Sequence, residues 1–112
     1  MHTVVETPPY LRSIEGLFSE EERRAIVDLV SKDPECGELM PGTGGFRKVR
    51  FARAGMGKRG GARIIYIVRR EDMPVFLISA YAKNTKQNLT KDERNKLAKR
   101  ANDLFDEYRR VR

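Results

Sequence analysis

Three runs in the second half of the chain, "GFRKVRFAR", "ARIIYIVRR" and "PVFLISAYA", are rich in β-branched and aromatic residues and are bounded by turn signals. Their connections are too short for a parallel crossover, which needs a dozen or more residues, so the runs pair antiparallel. That restricts the chain sharply. Such a sheet must bury an apolar face, and the flanking segments supply helices to cover it. "VVE" near the start reads as a short edge strand, and "TPP" as a helix start with proline tolerated in its first turn. Ser19 and Glu22 form a capping box, after which Ala25, Ile26, Leu29 and Val30 lie on one helical stripe that ends near "KDP". "ECGELMPGTGG" reads as a loop. Thr90 and Glu93 open a last helix, whose Leu97, Ala101, Leu104, Phe105, Tyr108 and Val111 recur at helical spacing. The expected fold is α+β: a small antiparallel sheet with a mixed edge, and N-terminal helices and a C-terminal helix packed on one face.

Parity along the strands sorts the charged residues. Val49 and Phe51 share a face with Arg47 and Arg53, whereas Phe46, Lys48, Arg50 and Ala52 share the other. Turning the larger apolar pair toward the helices leaves Lys48 and Arg50 on the open side. In the third run, simple alternation puts Tyr81 in step with Leu77 and Ser79, with Lys83 next. The middle run is apolar on both faces after Arg63, which makes it the central strand and puts Arg63 at its mouth.

The glycine-rich stretch "GMGKRGG" before Arg63 is not a nucleotide cradle. A phosphate-binding loop requires G-x-x-x-x-G-K and then Ser or Thr, opening a helix; here Lys58 is followed by Arg59 and then by a strand. Its glycines suit a hairpin loop that needs positive φ. The charge is more telling. With 23 Lys and Arg against 16 Asp and Glu, the net charge of +7 favours a polyanionic partner. No carboxylate lies between Arg47 and Arg70, so Lys48, Arg50, Arg63 and Lys83 are candidates for one phosphate-binding group. Any two of them alone would read as a solvated face.

At 112 residues one domain is expected over 1–112, with a core large enough to need no staples. Cys36 is the single cysteine, which fits a reducing cytoplasm, and no run approaches the roughly 20 apolar residues of a membrane span. "MHTVVETPP" lacks the pattern of a signal peptide.

In order, "GFRKVRF", a short basic loop, "GGARIIYIV" and "VFLISAYAKNTKQNLTKDE" resemble the RelE/HigB group of bacterial toxins from toxin–antitoxin modules, and within it the HigB-like branch. The resemblance is strong from Gly45 to about Glu93 and looser over the N-terminal helices. It implies a toxin that enters the ribosomal A site, against 30S rRNA, and cuts the mRNA there with no metal or other cofactor. The ribose 2′-hydroxyl would attack the adjacent phosphate. The positions that match working residues of the family are Lys48, Arg50, Arg63 and Lys83. Arg63 is assigned to the scissile phosphate, because a guanidinium offers a fixed fork and stays charged. Lys83 would add charge or a proton to the leaving oxygen, and Lys48 is a candidate base. An ordinary lysine is protonated at neutral pH and useless for that task, so the identity of the base stays open. RNA contacts are expected from Lys58, Arg59, Tyr81, Asn84 and Lys86.

The sequence departs from the best-known branch at Leu89, where that branch has a base-stacking tyrosine; Tyr81 or Tyr66 is a substitute plane or a core residue. It also has Lys83 in place of an arginine, and no histidine near the site. The implied partner is a cognate antitoxin of helix-turn-helix type, bound by the C-terminal helix and the N-terminal pair. Two other readings compete: a related ParE-type toxin that poisons DNA gyrase without chemistry, and a non-catalytic RNA-binding domain. The converging cations argue against the first, and the missing aromatic signature of an RNA-recognition motif against the second.

Overall fold

The computed structural model describes residues 2–52, 61–69, 73–82 and 90–111. In chain order the elements are β1 (Val4–Glu6), α1 (Pro8–Ser13), α2 (Glu20–Lys32), β2 (Glu38–Leu39), β3 (Phe46–Phe51), β4 (Ala62–Ile67), β5 (Val75–Ala82) and α3 (Lys91–Val111). The strands form one sheet in the order β1-β5-β4-β3-β2. All neighbours run antiparallel except β1, which lies parallel to β5 at the edge. The α+β class, the mixed edge and the central position of β4 agree with the sequence.

Local signals set the helix starts. Thr7 caps α1: its Oγ1 accepts from the Tyr10 N–H at 3.4 Å and donates to the Leu77 carbonyl of β5 at 2.7 Å. Ser19 and Glu22 close a reciprocal capping box on α2, at 2.8 and 3.2 Å. Thr90 and Glu93 repeat it at the start of α3, at 2.9 and 3.2 Å. Each box satisfies two backbone N–H groups that would otherwise lack a partner.

The sequence puts all the helices on one face, but in the structure α1 and α2 take one side of the sheet and α3 the other. Tyr10 and Ile14 of α1 and its C-cap, with Ile26 and Val30 of α2, pack on Ile64, Tyr66, Val75 and Leu77. Ala101 and Phe105 of α3 pack on Phe46, Ile65, Ile67, Phe76 and Ile78. Successive β4 residues therefore point into different cores, and Ile64, Ile65, Tyr66 and Ile67 are all buried. A strand apolar on both faces requires cover on both.

A second difference is β2, which lies in the segment read as a loop. Glu38 and Leu39 pair with Lys48 and Arg47 of β3. The turn between these strands is tight: the fully buried Thr43 donates through Oγ1 to the Met40 carbonyl at 2.7 Å and accepts from the Phe46 N–H at 3.1 Å. Gly42, Gly44 and Gly45 take positive φ there, which side chains disfavour.

A third concerns β5. Its pairing with β4 shifts between Ile65 and Tyr66, so that Ser79 opposes Ile65 while Leu77 opposes Tyr66, leaving Ile78 over. This bulge breaks simple alternation along β5. Leu77 packs toward α1 and α2, whereas Tyr81 packs on the α3 side. Bulges of this kind re-aim a side chain.

Candidate functional site: a cationic end of the sheet

Contacts of α3 gather at one end of its face. Ala98 lies beside Gly44, where an added Cβ would stand 3.5 Å from the alanine Cβ. Arg69 Nη2 donates to Asn102 Oδ1 at 2.6 Å, and its guanidinium lies 4.8 Å over the Phe105 ring. Phe105 and Tyr108 meet Phe76 edge-on, at 5.2 and 6.1 Å between ring centres. All of this occurs where Phe46, Ile67 and Phe76 stand in register.

The far end of the same face carries the charge. Arg50 on β3 opposes Arg63 on β4, and Arg63 opposes Tyr81 on β5. One row back, Lys48 opposes Ile65, and Ile65 opposes Ser79. Side chains directly opposite across an antiparallel pair have Cβ atoms about 5 Å apart, and those two residues apart on one strand are separated by about 6.6 Å. Lys48, Arg50, Arg63 and Tyr81 thus form a run on one face, each Cβ within about 7 Å of the next. Arg50 is exposed, and the other three are half-buried.

Arg63 is held unusually. Its Nη1 is buried and has no hydrogen-bond partner among the described residues. A buried donor without a partner is costly, more so on a cation. Burial pushes the Tyr81 phenol above its ordinary range, and the neighbouring Arg63 charge pulls it back.

Behind Lys48 the structure is stiffened by Tyr66. Its hydroxyl accepts from the Gly37 N–H at 2.8 Å and donates to the Pro34 carbonyl at 2.8 Å. Burial, then the contact with Cys36, holds that phenol in its protonated form. Arg47 Nη1 donates to the Gly37 carbonyl at 2.8 Å, tying the same segment from β3. A Cβ at Gly37 would stand 2.9 Å from the Tyr66 ring and 3.1 Å from the Lys48 carbonyl, so only glycine fits without movement. Tyr66 is therefore a core clamp and not a stacking plane.

Register also brings in a residue that the sequence reading missed. Glu38 of β2 stands directly opposite Lys48. It lies outside the carboxylate-free stretch from Arg47 to Arg70, and only strand pairing puts it on the cationic face. Lys83, Lys58, Arg59, Asn84 and Lys86 lie outside the described residues.

Lys48, Arg50 and Arg63 share one face beside Tyr81, at the end of a five-stranded α+β sheet where β3, β4 and β5 stand in register, and such a group of cations suits an anionic ligand. Comparison with known proteins narrows this. The family described as the RelE toxin of the RelE/RelB toxin–antitoxin system matches residues 37–110, well over half of the chain, and the chain belongs to that family. A structure of the Escherichia coli toxin RelE, a double arginine-to-alanine mutant in the free state, is similar with a TM-score of 0.58 and 20% identity. The likeness covers 89% of this chain and 96% of that one. At that identity it speaks for the fold alone.

Proposed function

We propose that this toxin stops translation by cutting mRNA in the ribosomal A site, as a single RelE-like domain over residues 1–112. The observation that carries the reading is the in-register pair Arg50–Arg63, with Lys48 one row back on the same face. In the reaction, the ribose 2′-oxygen loses its proton and bonds to the adjacent phosphorus. The bond from phosphorus to the 5′-oxygen then breaks, and that oxygen takes up a proton. The products are a 2′,3′-cyclic phosphate and a 5′-hydroxyl. Fixed cations favour this path because negative charge grows on the phosphoryl oxygens as the new bond forms. Arg63 grips those oxygens, Arg50 and Lys48 add charge, and Lys83 serves the leaving oxygen. Lys58, Arg59, Asn84 and Lys86 are assigned to the RNA backbone, and Tyr81 to a base.

The motif order G-G-x-R-x-x-Y, then Y-x-K-x-x-K-x-x-L-T, supports the HigB-like branch. The partners on this reading are the ribosome with its mRNA and a cognate antitoxin, of helix-turn-helix type, in the cytoplasm. Among the described residues no helix is long and apolar enough to cross a membrane.

Mapping 5′ ends of cellular mRNA after induction tests the proposal. New 5′-hydroxyl ends inside open reading frames, lost in Arg63→Ala, are expected. Intact mRNA with broken DNA would point instead to gyrase and overturn it.

A further inference from the structure

Of the strand residues described, only Glu6 and Glu38 carry a carboxylate, and they sit on different faces. Glu6 faces α2, where it meets Arg23 Nη2 at 3.3 Å. Glu38 is the one carboxylate that the strands present on the cationic face, opposite Lys48 and one row from the Arg50–Arg63 pair. It is exposed, so a bound RNA can reach it. We propose that Glu38 is the general base that takes the proton from the 2′-hydroxyl. This rests on the cleavage reading given above and supplies the group which that reading leaves unnamed.

The chemistry separates Glu38 from its neighbours. Lysine and arginine are protonated near neutral pH, whereas a carboxylate is ionised there and ready to accept. The cations beside Glu38 stabilise the phosphoryl charge that develops once the proton has left. The steps balance. Glu38 gains the 2′-proton as the oxygen–phosphorus bond forms, and a lysine ammonium gives one to the departing 5′-oxygen. Exchange with water then restores both groups.

The way β2 is held argues for placement and against a loose surface charge. Just before Glu38, Gly37 is fixed through its N–H by Tyr66 and through its carbonyl by Arg47. Just after Leu39, the Met40 N–H donates to the Phe46 carbonyl at 2.8 Å. A two-residue edge strand is thus fastened at both ends, the support a reacting group needs to stay in position. A carboxylate whose only effect was electrostatic would repel RNA, and its removal would speed the reaction.

The test is single-turnover cleavage of mRNA on programmed ribosomes, with ribosome binding measured separately, for the parent, Glu38→Gln and Glu38→Asp. A general base contributes about 10²–10⁴-fold, so Glu38→Gln should slow cleavage by at least about a hundredfold. Ribosome affinity should stay within about twofold, the fall in rate toward acid pH should disappear, and Glu38→Asp should retain part of the activity. An unchanged thermal melt shows that the exposed variant folds. Cleavage by Glu38→Gln within about threefold of the parent, or faster, overturns the assignment while leaving the nuclease reading intact. A parent that cuts no mRNA overturns both.

Discussion

Arg50 and Arg63 are direct cross-strand neighbours, two guanidinium groups in register on adjacent strands of the same sheet face. Like charges directly opposite weaken a sheet, while opposite charges, as in Glu38 facing Lys48, support it. The pair stands at the opposite end of the face from Phe46, Ile67 and Phe76. Replacing Arg50 by threonine removes the repulsion and adds a good strand former. Stability should rise by a few tenths to about 1 kcal/mol in urea unfolding while mRNA cleavage falls. A less stable Arg50→Thr protein would contradict a repulsive opposition of Arg50 and Arg63.

Tyr66→Phe deletes one hydroxyl that serves two backbone groups, the Gly37 N–H and the Pro34 carbonyl. Leaving such groups unpaired in the interior costs about 1–3 kcal/mol, and that loss is expected in chemical denaturation. Gly37→Ala should cost a similar amount through overpacking against the same ring. If both variants unfold at the parental midpoint, the clamp is not structural.

Phe105 is fully buried and meets both Phe76 and the Arg69 guanidinium. Truncation to alanine should destabilise by about 3–5 kcal/mol. Leu104→Ala, at a half-buried position on the same helix, should cost clearly less. Equal losses in thermal or urea unfolding would mean that α3 is not anchored through Phe105.

Alkaline pH should weaken the fold through Tyr10. Burial first, and the Glu6 carboxylate second, push its phenol from 10.0 up to about 12, with Arg23 pulling the other way. Above pH 10 the unfolded chain releases the phenolic proton while the folded chain keeps it. The unfolded state then binds fewer protons, so stability is intact below about 10 and falls as pH rises toward about 12. Tyr66 shifts in the same direction and adds to the loss. Urea midpoints taken between pH 8 and 11 should decline, and less steeply in Tyr10→Phe. A flat profile would contradict the burial of these phenols.

Much of this was legible locally. The Ser19 and Thr90 boxes, the extent of β3, β4 and β5, and the shared face of Lys48 and Arg50 all follow from neighbours within a few residues. What escaped was set by pairing. Glu38–Leu39 has no period to detect, because two residues are strand only through what β3 offers them. Simple alternation puts Tyr81 in step with Leu77, and one extra residue, Ile78, reverses their relation.

The chain alone determined its helices, its strands other than β2 and its excess of positive charge, because capping, side-chain periodicity and composition act over short distances along the backbone. Tertiary structure alone decided that the helices divide between two faces and that Glu38 joins the cations. Strand register is a long-range choice, settled by which surfaces can be buried together, and no local run of residues encodes it.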